Sequence, residues 1–202
     1  MIREHDVVLR GPRVLLRPFT EADLSTALGW YQDEETLRLS EANDLDARTV
    51  DDIRPIYEYL SQHGHLFIIE ADGQPIGEIC LERMNLAWVN ERYPGERIYR
   101  LPIVIGDRRY WGRGYGTEAV ELLLIYGFEQ LGADRFYIPG VWGFNQRSLR
   151  LWRRLGFREV DIRPIVLDRR GRIDETDEID FTLTRAEWEA RRSRRGMTYE
   201  RT

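Results

Sequence analysis

The sequence predicts a mixed α+β fold built on a mostly antiparallel sheet, and three observations carry that prediction. Two strand-like runs, Leu66 to Glu70 and Ile76 to Leu81, flank Asp72-Gly73, a two-residue turn that suits an antiparallel hairpin. A single strand–helix–strand crossover is visible, from Arg100–Ile105 through a helix at Thr117–Leu131 to Arg135–Val141, so those two strands should run parallel. Elsewhere strands and helices are mixed, and the strands are joined mostly by hairpin connections.

In chain order, residues 7–17 read as a first strand or hairpin interrupted at Gly11-Pro12. Thr20 with Asp23 three positions on forms a capping box that opens a helix through about Trp30. A second helix is expected over Thr49–His63, with Ile53, Ile56, Tyr57 and Leu60 on one face; its interior Pro55 predicts a kink or a later start. The segment 86–97 reads as a polar loop carrying Trp88, Tyr93, Pro94 and Gly95. Beyond the crossover, a helix from about Asn145 to Arg154 stops at Leu155-Gly156, where glycine suits a left-handed terminus. Strands near Glu159–Leu167 and Glu178–Leu183 are joined through residues 168–172, and Thr184 with Glu187 caps a final short helix.

Bulk properties narrow the function classes. At 202 residues with no visible linker, the chain is read as one domain over 1–202, its core about 8–184 and a terminal helix and tail at 184–202. A formal charge of -5 argues against a nucleic-acid partner, and the basic cluster Arg191, Arg192, Arg194 and Arg195 reads as a solvated helix end. The single Cys80 excludes an internal disulfide, and no apolar stretch suggests a leader or a membrane span, so a cytoplasmic protein is expected. All 30 basic residues are arginine. Without lysine there is no Schiff-base chemistry, no pyridoxal-phosphate anchor and no Gly-Lys-Ser/Thr phosphate loop.

The most informative segment is Arg109-Tyr-Trp-Gly112-Arg-Gly114-Tyr-Gly116-Thr117, between a strand and a helix. Closely spaced glycines let consecutive N–H groups converge, and the helix start adds its positive dipole end, which makes a cradle for a diphosphate. The Gly-x-Gly-x-Gly spacing and the carboxylate-free next strand, Ile138-Pro-Gly-Val-Trp142, fit a dinucleotide cofactor poorly.

Arg109, Gly112 and Gly114 match the pattern Arg/Gln-x-x-Gly-x-Gly/Ala, and downstream stands Asn145-Gln-Arg-Ser148-Leu-Arg-Leu-Trp152-Arg-Arg-Leu-Gly156-Phe157. With these two motifs the chain resembles the GNAT superfamily of N-acyltransferases, most of all its ribosomal-protein N-terminal acetyltransferase type. The likeness is strong over residues 97–160 and consistent in element order over 8–184. It implies a central, mostly antiparallel sheet of about seven strands with one splayed parallel pair, flanked by about four helices. It also implies acetyl-CoA as co-substrate without a metal, and a primary amine acceptor on a small molecule or a protein N-terminus. A homodimer is open, paired through an exposed strand or the 86–97 loop.

What the resemblance implies for residues is specific. Amides from Trp111 through Gly112, Arg113, Gly114, Tyr115 and Gly116 to Thr117 would take the pyrophosphate, with Arg109 and Arg113 either meeting phosphate or simply solvated, and Trp111 packing under the loop. Backbone N–H groups along the splayed strand, with Ile103, Val104 and Ile105, would polarise the thioester carbonyl. Many members carry a proton-donating tyrosine where this chain has Trp152, which is counted here with the cofactor-binding residues, and an indole N–H has no proton to give at usable pKa. Ser148 is then the candidate donor to the departing thiolate, or a helix-start packing residue; Asn145 would bind the pantetheine arm, or cap its helix. An ammonium acceptor must lose a proton, and by element order Glu78 and Asp107 are the candidate bases, or ordinary surface carboxylates. Asp33, Glu34 and Glu35 would favour a cationic acceptor, or form a solvated helical turn. The competing class is a non-catalytic acyl-CoA-binding or sensor domain.

Overall fold

The computed structural model describes residues 1–40, 49–169 and 172–195. The centre of the link read at 168–172 and the tail beyond 195 lie outside them.

Nine strands among the described residues form one sheet. They are β1 (Leu9–Arg10), β2 (Val14–Pro18), β3 (Gly64–Ala71), β4 (Gln74–Arg83), β5 (Ile98–Arg100), β6 (Ile103–Ile105), β7 (Arg135–Trp142), β8 (Arg158–Arg169) and β9 (Arg172–Thr184). The order is β1-β2-β3-β4-β5-β7-β9-β8, with β6 also beside β4. Every pairing is antiparallel except β5 with β7, which run parallel over Ile98↔Arg135 and Tyr99↔Phe136. The crossover and the Asp72-Gly73 hairpin are therefore as expected, with both turn residues at positive φ.

Among the described residues seven α-helices cover the sheet: α1 (Leu24–Trp30), α2 (Glu34–Ser40), α3 (Val50–His63), α4 (Ala87–Arg92), α5 (Tyr115–Ile125), α6 (Gln146–Leu155) and α7 (Arg185–Arg195). Alternate residues of β3 and β4 feed two cores. Phe67, Ile69, Ile79 and Leu81 face α5 and α6, while Leu66, Ile68 and Cys80 face α1 and α3. Burial on both sides explains why these strands read as near-continuous apolar runs.

Helix signals hold where capping chemistry is local. The Thr20–Asp23 box opens a 3₁₀ turn at Glu21–Asp23 that continues as α1, and Thr49 with Asp52 and Thr184 with Glu187 cap α3 and α7. Pro55 neither delays nor interrupts α3: it sits on the exposed side, where the Asp51 carbonyl it leaves unbonded can meet water. Ile56, placed on the apolar face from the sequence, is 42% exposed, because the face that docks is set by Ile53 and Tyr57.

Three segments differ from the sequence reading. Residues 86–97 are not all loop: Leu86, Val89 and Tyr93 fall on one helical face and bury against Met84, Ile98 and Tyr137, so α4 forms between them. The run Arg100–Ile105 is two strands broken at Leu101-Pro102. The last hairpin is longer than its apolar content suggests, since β8 and β9 stay in register out to Arg169↔Arg172.

Candidate active site

The strand break makes the site. Cys80 N–H donates to Pro102 O at 3.0 Å, which fixes Pro102 as a hydrogen-bonded position of the β4–β6 ladder, although it has no N–H to return. By the two-residue alternation of that ladder, Val104 turns its backbone groups toward Glu78 of β4. Ile103 and Ile105 then turn theirs the other way, toward β7. No ladder meets them there among the described residues, because on the side that faces β6 the strand β7 is paired only at its first two residues, with β5, while β9 pairs along its other edge. The outward direction is confirmed at Ile105, whose carbonyl accepts the Trp111 indole N–H at 2.5 Å.

This gap opens into a cleft of about 500 Å³. One wall is β6 and the glycine loop. Gly112 (φ 71°) and Gly114 (φ 88°) are left-handed, a backbone that a β-branched side chain resists, and they bring the loop amides round to the start of α5. No side chain caps α5, so the first amides of the helix face the cleft with the dipole's positive end. Gly116 is buried where a Cβ would stand 3.3 Å from Leu151 Cδ1, so the loop and α6 approach closely behind the cleft.

The opposite wall is α6. Asn145 caps it, its Oδ1 accepting from Ser148 N at 3.1 Å, while its Nδ2 donates to Leu39 O of α2 at 3.2 Å. Both ends of the amide are thereby engaged, which favours the capping reading over contact with a ligand arm. Ser148 lines the cleft. Its Oγ accepts from Trp152 Nε1 at 3.0 Å, and Trp152 is otherwise buried at 1% exposure with its ring edge-on to Phe157. Trp152, counted from the sequence among cofactor-binding residues, is thus a core residue outside the cleft wall. The apolar side of α6 requires it there, with Leu149 and Leu155 buried on either side.

Of the other expected residues, Ile103, Val104, Ile105, Trp111, Gly112, Gly114, Tyr115, Gly116, Thr117, Asn145 and Ser148 line one cleft. Arg109 and Arg113 do not. Arg109 is 81% exposed and paired with Asp107 at 2.6 Å, and Arg113 offers its carbonyl to Arg13 at 3.1 Å. That pairing also removes Asp107 from the site: Arg109 holds its carboxyl below the usual range, and it serves as the cap of the 3₁₀ turn Arg108–Tyr110.

Asp33 and Glu35 do not present open negative charge to an acceptor. Burial opposes ionisation of Asp33, but bonds from Thr36 and Arg108 outweigh it and lower its pKa; it caps α2 and meets Arg108 at 3.3 Å. Glu35 is held low chiefly by Arg38, at 2.9 Å. Glu34 is exposed and outside the cleft wall.

Glu78 is different. It is 6% exposed, and its carboxylate accepts from Tyr31 Oη at 2.9 Å and from Tyr57 Oη. Burial and the adjoining Glu78 charge push the Tyr57 phenol well above its ordinary value, so it remains a donor. Glu78 and Val104 are directly opposed across the ladder, hence on the same face, and Val104 both lines the cleft and packs into the α1–α3 core.

Sequence reasoning missed part of the wall. Arg147, Arg150 and Arg154 line the cleft together with Leu151, and Thr36, Leu39 and Ser40 of α2 close its far end. The arginine spacing of three and four is the signal that could have found them, one stripe along a helix. Arg147 lies 4.5 Å over Trp111 and 4.0 Å from Glu35; Arg150 and Arg154 have no ion-pair partner among the described residues. Among the described residues the wall contains three arginines and no carboxylate, in a chain of net charge -5. Among the described residues no group of three or more His, Cys, Asp or Glu could hold a metal, and no helix is long and apolar enough to cross a membrane.

Comparison with known proteins agrees with this geometry. The model of the acetyltransferase (GNAT) domain matches residues 13–158. Alpha/beta-tubulin-N-acetyltransferase 9 of Mus musculus is 23% identical over 161 residues, which span 77% of this chain and 66% of that protein. Spermidine N(1)-acetyltransferase of Escherichia coli K12 is 26% identical over 153 residues, spanning 71% and 72%. Among solved structures, Mycobacterium smegmatis RimJ in complex with CoA-disulfide superposes with a TM-score of 0.69 at 20% identity, covering 94% of this chain and 93% of that one.

Proposed function

The chain belongs to the acetyltransferase (GNAT) domain family, and on that premise we propose that it transfers an acetyl group from acetyl-CoA to a primary amine by direct attack within a ternary complex. One observation carries the reading: the cleft joins a left-handed glycine loop and an uncapped helix start to an arginine stripe, with no carboxylate among the described residues of its wall. That polarity suits the phosphates of coenzyme A, and the unpaired side of β6 suits its acyl end.

In this reading the thioester carbonyl accepts from the N–H of Ile103 or Ile105, which stabilises the oxyanion as the amine attacks. The nitrogen forms its new bond to the acetyl carbon, and the C–S bond breaks on collapse. The proton leaving nitrogen goes to Glu78, directly or through water, with Tyr31 and Tyr57 holding the carboxylate in place. The departing sulfur receives its proton through Ser148, whose oxygen takes another from water. One proton thus passes to solvent on the acceptor side as one enters on the thiol side.

Within the family we assign the chain to the ribosomal-protein N-terminal acetyltransferase type, on Asn145, Ser148 and the absent tyrosine, as one domain over 1–202 working in the cytoplasm. The likeness to RimJ supports this, and the spermidine-acetylating relative brings polyamines into the same range of acceptors. Thiol release from acetyl-CoA with peptides bearing a free N-terminus, spermidine and an aminoglycoside tests the proposal. Release above background hydrolysis with any of them is expected. Thermal stabilisation by CoA with no release for any amine would replace it by the non-catalytic binding reading.

A further inference from the structure

We propose that Trp152 is a positioning residue for Ser148: its indole N–H fixes the serine oxygen as an acceptor, so that the hydroxyl proton is directed into the cleft. The inference rests on the acyl-transfer reading above.

A serine in the first turn of a helix has several rotamers, and its hydroxyl ordinarily turns back to a carbonyl three or four residues earlier. Here the Ser148 side chain has one bond among the described residues, and in it the oxygen accepts, from Trp152 Nε1 at 3.0 Å. An indole N–H is a donor only, so the polarity of that bond is unambiguous without knowing any hydrogen position. The donor is rigid. Trp152 is 1% exposed, wedged edge-on against Phe157 at 5.1 Å and one helical turn from the residue it holds. With one lone pair committed, the O–H points away from the indole, and the cleft is the open direction because Ser148 is part of its wall. An oxygen that accepts a hydrogen bond also becomes a better donor, so the bond polarises the hydroxyl toward a developing thiolate. Burial of an indole with its N–H unpaired would be unfavourable, which gives the core its own reason to keep the pair together.

The test is a double-mutant cycle on the full chain, with thiol release as readout. Trp152→Phe deletes the N–H and keeps a ring against Phe157. It should lower kcat about fivefold to tenfold while leaving KM for acetyl-CoA within about twofold. The same change in a Ser148→Ala background should add no further loss, and Trp152→Phe should shift the pH profile of kcat only where Ser148 is present. Equal losses in both backgrounds, or an unchanged kcat, overturn the proposal. A second measurement needs neither turnover nor a folded Trp152 variant: CoA addition should move the indole Nε1–H resonance of Trp152 in the wild type and leave it in place in Ser148→Ala. Equal shifts, or none in the wild type, overturn the positioning role. Absence of thiol release from the wild type with an intact resonance shift would instead overturn the acyl-transfer reading alone.

Discussion

Glu78 of β4 stands directly opposite Val104 of β6, and Val104 forms part of the cleft wall. Glu78 itself is buried outside the cleft lining, opposite the strand that meets the acyl group in the proposed reaction. Glu78→Gln keeps the shape and an oxygen for one of the two tyrosine donors, turns the other oxygen into an amide donor, and cannot take a proton. It should lower kcat by about 10²-fold or more with KM for acetyl-CoA nearly unchanged, measured as thiol release at saturating amine.

Gly114 is held at φ 88° where the loop enters α5. Gly114→Val places a β-branched side chain in a left-handed backbone, at a cost of roughly 1–3 kcal/mol, and turns the loop amides away from the cleft. Calorimetry should find CoA binding weakened at least about tenfold. Normal affinity would remove the phosphate role of the loop.

Arg150 and Arg154 face the cleft without a carboxylate partner among the described residues. Charge reversal at either should raise the Kd for acetyl-CoA by about tenfold at low salt, an effect that shrinks as ionic strength rises. If these side chains meet the 3′-phosphate, 3′-dephospho-CoA should be nearly insensitive to the same change.

His5 and His65 lie edge to face at 5.0 Å where the N-terminal segment crosses β3. Burial lowers both pKa values; at His65 the neighbouring His5 and Arg3 lower it further, while at His5 a bond to the Leu66 carbonyl partly offsets the burial. A histidine depressed in the folded state contributes its full stability above its ordinary pKa and loses it as pH falls, because the unfolded chain binds the proton first. The Tm should therefore decline from about pH 7 toward pH 5, above the range in which Asp33, Glu35 and Asp107 protonate. Replacing both histidines with asparagine should flatten that part of the profile in a pH series of thermal melts.

Legibility followed sequence distance. The Asp72-Gly73 turn, the Thr20–Asp23 and Thr184–Glu187 caps and the Gly156 helix end are chemistry among near neighbours, and each was readable. The outer half of β9 was not, because it reaches past β7 with Ile173, Glu175 and Asp177 on one face and Asp174 and Thr176 on the other, so neither face carries an apolar period. The glycine loop and Asn145–Ser148 were legible as motifs. The fate of the acidic residues was not: Arg108 reaches Asp33, and Tyr31 and Tyr57 reach Glu78, across 75, 47 and 21 positions. Periodicity and spacing say nothing about such meetings.

The break at Leu101-Pro102 gives a strand deep inside a nine-stranded sheet the backbone of an edge. In amide hydrogen exchange, β6 should read as alternating protection within three residues: Val104 slow, because it is bonded to β4, and Ile103 and Ile105 fast. Filling the cleft should slow whichever of the two meets the acyl carbonyl. An exposed edge at the rim of a sheet invites another chain to pair with it. Here the groups that no strand pairs lie inside a cleft of about 500 Å³, between the glycine loop and α6, instead of along an outer rim.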